Sequence, residues 1–247
     1  MTSIGFLIIG NEILSGRTGE KNLPVLARLL AEKGLLVDEV RVVRDVPGRI
    51  AESLRQMKTR CDYVFTSGGI GPTHDDVTVD GVALALEVEV EENREAVEVL
   101  AAFYQQRGLP LTKSRLRMAR APAGAGILRS TFPGAPGFVA DNVFICAGVP
   151  AIFERMATAA MTFLPDLPRR HLQTLRADGA ESEFAERLAE VQQQWTDLDI
   201  GSYPREDENG FYCHLVFSGA DVDAVTRAAD EMCDYFAAAR VPCRRVD

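Results

Sequence analysis

A chain of 247 residues, 47% apolar and 26% charged, has the composition of an ordinary globular protein rather than a disordered one, and is long enough for one large domain or two smaller ones. Its 36 Asp and Glu against 27 Lys and Arg give a formal charge of -9, which disfavours nucleic acid as a partner but permits a small phosphorylated ligand held by local backbone amides and a cation. The five cysteines (Cys61, Cys146, Cys213, Cys233, Cys243) show no C-x-x-C or Cys/His spacing, so reduced, mostly buried thiols are expected rather than a zinc or redox site.

The apolar run over residues 4–9 has no basic leader and is too short to span a bilayer, so it reads as a buried strand, with no membrane partner and a cytoplasmic location expected. Leu23, Leu26, Leu29 and Leu30 follow at helical spacing and Gly34 closes the helix. Residues 37–43 form a second predicted strand ending at Arg44 and Asp45, and Pro47 opens a helix with Ile50, Leu54 and Met57 on one face. A third strand over 63–65 runs into the loop 66–78, and helical patterns follow to Glu87 and over 92–106, stopped by Gly108. Residues 122–137 are too rich in Pro and Gly for a long element. Asp141 and Asn142 predict a tight hairpin, and Gly148-Val149-Pro150 opens a helix ending near Leu164. Alternating strands and helices predict an α/β fold with a mostly parallel sheet covered on both faces.

Pro165 to Pro168 is the best linker, dividing the chain into domains over 1–165 and 169–247. The second part reads as strand 172–175, helix 181–195, strands from 199 and over 211–217, helix 222–238 and strand 243–246. That β-α-β-β-α-β order predicts a small α+β domain of ferredoxin-like type, with a KH-like fold as the alternative. Its first helix is rich in glutamate, which argues against RNA.

The chemistry is expected at residues 66–78, where Gly68, Gly69 and Gly71 follow a buried strand and two acids precede a helix. Small residues let amides approach an anion, and loops at the carboxyl ends of parallel strands are where ligands collect. Ser67 and Thr73 are candidates to hydrogen-bond phosphate, with Gly10, Glu12, Asp75, Gly134, Gly137 and Gly148 completing the binding residues. Carboxylates beside phosphate repel it, and a divalent cation resolves the conflict, so Asp45 and Asp76 are the expected ligands of Mg²⁺, Mn²⁺ or Co²⁺. Asp76, Asp45 and His74 are the candidate catalytic groups, suited to metal-assisted hydrolysis or phosphoryl transfer. Purely structural roles stand beside these. Thr73-x-x-Asp76 resembles a capping box, Asp45 suits a helix cap ahead of Pro47, and His74 suits a solvent-facing loop.

The segments Gly10-Asn11-Glu12-Ile13-Leu14-Ser15-Gly16, 66–78, Gly134-Ala135-Pro136-Gly137-Phe138 and Gly148-Val149-Pro150 resemble the molybdopterin-binding fold as it occurs in the N-terminal part of CinA proteins, and residues 200–204 resemble the matching segment there and in eukaryotic FAD synthases. The resemblance implies a three-layer α/β/α first domain and self-association as a homo-oligomer. It further implies either metal-dependent hydrolysis of ADP-ribose or a related dinucleotide such as FAD, or binding of molybdopterin without turnover. It departs from many CinA sequences at Asn11, where they carry Asp, and at Ile152, where Glu is frequent. The chain ends at Asp247, so the deamidase activity of longer CinA proteins is not expected of it.

Overall fold

The structure, a computed structural model, describes residues 2–132, 134–208 and 210–246. Two compact units divide it, residues 1–167 and 168–247.

In the first unit, strand β1 (Ile4–Ile9) is buried along its whole length, as its unbroken apolar run requires. It leads through a single helical turn, α1 (Asn11–Leu14), to α2 (Asn22–Ala31), and then to β2 (Glu39–Val43) and α3 (Pro47–Lys58). Strand β3 (Tyr63–Ser67) precedes α4 (Thr78–Leu86), β4 (Val90–Glu92) and α5 (Arg94–Gln106). The helical pattern from residue 92 starts later than expected because Asn93 caps α5, its side chain accepting the Ala96 amide at 3.0 Å. A short turn of helix, α6 (Lys113–Leu116), runs through a 3₁₀ turn (Arg117–Ala119) into β5 (Arg120–Pro122) and β6 (Gly126–Leu128). The hairpin β7 (Gly137–Ala140) and β8 (Val143–Cys146) turns at Asp141, whose φ is 53°, and α7 (Pro150–Ala160) closes the unit.

The main sheet has the order β2-β1-β3-β8-β7-β6. The first four strands are parallel, and β7 and β6 are antiparallel additions at the far edge. Helices α3 and α4 pack together, and α2 packs with α7. The α3–α4 approach is close enough to need Gly81, where a Cβ would stand 2.5 Å from Ile50 Cβ. The core between these layers is dominated by Phe6, Phe65, Phe138, Phe144 and Phe153. No helix among the described residues is long and apolar enough to cross a membrane.

The second unit contains β9 (His171–Asp178), α8 (Ala185–Gln194), β10 (Asp199–Asp207), β11 (Gly210–Gly219), α9 (Val222–Ala239) and β12 (Cys243–Val246). Its antiparallel sheet runs β10-β11-β9-β12. With that strand order the β-α-β-β-α-β chain is a ferredoxin-like sandwich, which settles the KH-like alternative. The expected helix over 181–195 is in fact a 3₁₀ turn (Glu181–Glu183) and then α8. Phe184 separates them, leaving helical geometry to bury its ring edge-on against Phe236 at 5.2 Å.

Candidate phosphate-binding site

Because β2, β1, β3 and β8 run the same way, their carboxyl ends meet at one edge of the sheet. The chain continues from β1 to the strand on one side and then crosses to β3 on the other, so the topological switch lies between β1 and β3. The segments that gather there are 10–21, 44–46, 68–77 and 147–149.

Segment 68–77 is pinned at its start and end. The Gly68 amide donates to the Cys146 carbonyl at 3.1 Å, and the buried Thr78 hydroxyl donates to the Gly68 carbonyl at 2.8 Å. The Thr78 amide returns to the Gly69 carbonyl at 3.0 Å. Gly68 (φ 102°) and Gly69 (φ 64°) hold backbone conformations that side chains rarely adopt, and a Cβ at Gly68 would stand 2.1 Å from the Ile9 carbonyl oxygen. Between these anchors the amides of Gly69, Ile70 and Gly71 donate to no group among the described residues. Successive free amides in a glycine turn form an anion-binding concavity.

Downstream, Asp76 Oδ2 accepts the Thr73 amide at 2.8 Å and the Thr73 hydroxyl at 2.5 Å, as the capping-box spacing suggests. Gly71 lies against the same carboxylate, with room for no Cβ: one there would stand 2.7 Å from Oδ2. Asp75 is held below the ordinary carboxylate range, chiefly by the neighbouring Thr73 hydroxyl. Asp45 behaves oppositely. Burial raises its carboxyl above the usual value, and the charges of Glu12 and Asp75 push it further the same way. The Asn11 amide opposes them, donating to Asp45 Oδ2 at 2.7 Å. Asp45, Glu12 and Asp75 therefore share one electrostatic environment.

Ser67 and Gly148 are joined by a residue that sequence reasoning missed. Asn22, 5% exposed, donates from Nδ2 to Ser67 Oγ at 2.6 Å and to the Gly148 carbonyl at 2.9 Å. Arg117 was also missed: its Nη2 donates to the Asp76 carbonyl at 3.2 Å, and its buried Nε has no partner. It borders a narrow slot with Gly69, Gly71, Asp76 and Arg120, the last of which is ion-paired to Asp80. An arginine lining the same slot as these amides is suited to bidentate pairing with a phosphate.

Three candidates lie apart from this constellation. The His74 side chain is 99% exposed, with Asp75 Oδ1 4.0 Å away, so nothing orients it as a proton donor. Gly134 lies against the Phe103 ring, where a Cβ would stand 2.5 Å from Cζ, and Gly137 lies against Met156 Sδ and the Ile145 carbonyl. Both are packing positions in these contacts, because the sheet and α5 need close approach there. Among the described residues no three His, Cys, Asp or Glu side chains converge as a metal-ligand set.

Comparison with known proteins places the fold. Residues 169–242 match the middle domain of FAD synthase. A protein of Archaeoglobus fulgidus is 31% identical over 92% of this chain and 95% of its own length, and one of Sulfolobus acidocaldarius is 30% identical over 91% and 89%. The crystal structure of the protein CinA from Thermoplasma acidophilum superposes with a TM-score of 0.59 at 30% identity, covering 66% of this chain and 97% of that one. Residues 5–169 match the probable molybdopterin binding domain, and the chain belongs to that family, in its CinA-like form.

Proposed function

We propose that the first unit is a metal-dependent pyrophosphatase that binds ADP-ribose or a related dinucleotide such as FAD at the carboxyl edge of its sheet. The observation that carries this reading is the run of unpartnered amides at Gly69, Ile70 and Gly71, flanked by Thr73 and Asp76 and bordered by Arg117. These donors suit the oxygens of a pyrophosphate. The carboxylates around them suit it only with a cation present, and Asp45 supports one: a partly buried acid already repelled by Glu12 and Asp75 gains from a positive neighbour. Asp45 and Asp76 would hold Mg²⁺, Mn²⁺ or Co²⁺, with phosphate oxygens and water completing the shell. Bound there, the cation would supply charge neutralisation and an acidified water. The amides and Arg117 hold the phosphates, Ser67 positions the chain at the loop's start, and Asp76 keeps the turn in shape through Thr73. Attack of water on one phosphorus with cleavage of the bridging P–O bond converts ADP-ribose to AMP and ribose 5-phosphate.

Incubation with ADP-ribose and with FAD, each with Mg²⁺, Mn²⁺ or Co²⁺, tests this by release of AMP. Asp76→Asn, which keeps an acceptor for Thr73, is expected to lower turnover at least about 100-fold while the fold persists. Thermal stabilisation by a phosphorylated pterin with no AMP release from any dinucleotide would replace the enzyme with a molybdopterin-binding protein. The same loops favour that second reading, because a phosphate is common to both ligands. Self-association, expected from the resemblance, is checked by light scattering on the same preparation.

A further inference from the structure

Beside the glycine loop, and opening from the same edge, lies a hollow of about 180 Å³ under segment 10–21. Its walls are apolar where Ile9, Ile13 and Pro150 contribute, and the polar groups reaching it include Glu12, Asn22 and Ser67. Glu20 also borders it, but its carboxylate is engaged at the start of α2, accepting the amides of Asn22 at 2.7 Å and Leu23 at 2.9 Å.

Asn22 is unusual among these. Both of its Nδ2 contacts are to oxygen, and the Gly148 carbonyl can only accept, so the amide cannot be turned over without setting oxygen against oxygen. That orientation leaves Oδ1 as a buried acceptor with no donor. A native fold leaves few such atoms unsatisfied. Asn22 lines the hollow while its Oδ1 is closed off from solvent, so the acceptor can be satisfied only by an N–H from outside the chain that reaches it when the wall moves, and the hollow is smaller than pockets for whole drug-sized ligands, the size of a single fused ring system.

We propose that this hollow takes the heteroaromatic ring of the ligand and that Asn22 Oδ1 accepts a hydrogen bond from a ring N–H or exocyclic amine. Entry of the ring displaces residues 18–21 of the wall, of which Thr18, Gly19 and Lys21 are exposed. The proposal rests on the phosphate reading of the adjoining loop for the ligand's other end. It makes Asn22 the residue that selects amine-bearing rings, such as adenine or a pterin, over rings of the same shape that lack a donor.

Calorimetry and thermal shift on the full chain test it with three pairs of probes: 9-methyladenine and 9-methylpurine, pterin and 1,3-dimethyllumazine, and AMP and purine riboside 5′-monophosphate with Mg²⁺. In at least one pair the member with N–H donors is expected to bind about tenfold or more tightly than the member without. Asn22→Ala should bring that ratio to near one, a change that loss of the Ser67 and Gly148 bonds alone would not cause. Ile13→Trp, which fills the hollow without touching Asn22, should abolish ring binding and so keeps the test open where Asn22→Ala fails to fold. Equal affinities within every pair, or no binding of any probe, overturn the proposal. Discrimination between 9-methyladenine and 9-methylpurine with no gain from the phosphate of AMP would instead leave the ring subsite standing and remove the phosphate reading.

Discussion

The Asp45 carboxylate, at the end of β2, accepts the amide of Asn11, at the end of β1, at 2.7 Å. That bond ties two loops across the site, yet the carboxylate pays for burial and for the nearby charges of Glu12 and Asp75. Its folded pKa is therefore raised above the unfolded one. A carboxyl shifted in that direction favours the folded state below its unfolded value and loses this contribution as pH rises through the folded value. Asp45→Asn keeps an acceptor for Asn11 and removes the ionisation. In EDTA at pH 7 its melting temperature should exceed that of the wild type by about 1–3 °C, with the gap closing toward pH 4. A lower melting temperature at pH 7 would show that the ionised carboxylate stabilises the loops. Added Mg²⁺ should raise the wild-type melting temperature and leave the variant unchanged.

Gly68 and Gly124 both have left-handed backbone, at φ 102° and 78°, but differ in what surrounds them. A Cβ at Gly68 would collide with the Ile9 carbonyl, whereas at Gly124 nothing lies within 4 Å. Gly124→Ala should cost about 1 kcal/mol, the backbone penalty alone. Gly68→Ala adds a backbone collision at the junction of β1 and β3, so it should cost about 3 kcal/mol or more by urea denaturation. Equal costs would show that the loop gives way at Gly68 without loss.

How far the sequence anticipates this structure depends on the range over which each interaction acts. The buried run 4–9, the leucine spacing of α2, the proline start of α3 and the Asp141 turn are encoded within a few residues, and each element forms where its pattern lies. Strands β4, β5 and β6 have three residues each, too short for any period to show. The Thr73–Asp76 turn is equally local, its bond spanning three residues, whereas Gly68 at the start of the loop is fixed by Cys146 and Ile9 from distant strands. Asn22 and Arg117 are not local either, because Asn22 meets Gly148 across 126 positions and Arg117 meets Asp76 across 41. In the chain they look like the first residue of a helix and one of several surface arginines. His74 shows the converse, since a histidine within a glycine-rich segment attracts a catalytic role by residue type, while its exposure depends on which way a short turn faces.

The cysteines divide by environment rather than by spacing. Burial raises Cys61, Cys146 and Cys213, and it is the main cause that pushes Cys243 up to about 12, with the adjacent Cys233 thiol adding to it. Cys61, Cys146 and Cys213 are buried, whereas Cys233 and Cys243 are partly accessible. Ellman's reagent at pH 8 should therefore reach Cys233 and Cys243 in the native protein, with Cys243 more than about tenfold slower than free cysteine, and all five thiols after denaturation. Fast native labelling of Cys146, at the end of β8, would contradict the packing at the carboxyl edge of the sheet.

At the opposite edge of the first unit's sheet, Asp62 reverses the behaviour of Asp45. Its Oδ2 accepts the Ser3 amide at 2.8 Å and the Ser3 hydroxyl at 3.0 Å, and these bonds lower its pKa, the amide most. A lowered carboxyl contributes stability above its unfolded value, about 3.9 for Asp, and loses it as pH falls through the folded value. Asp62 ties the residue before β1 to the residue before β3, so the bond matters to the register of neighbouring strands. Asp62→Ala should lower the melting temperature at pH 7, and the difference should shrink as pH falls through the lowered folded value, where the wild-type carboxyl takes up a proton and binds Ser3 less strongly. The side chain is solvent-exposed, so the shift at neutral pH should also diminish in 1 M salt, to the extent that it is electrostatic. A difference constant from pH 7 to pH 2 would assign the effect to side-chain packing rather than to charge.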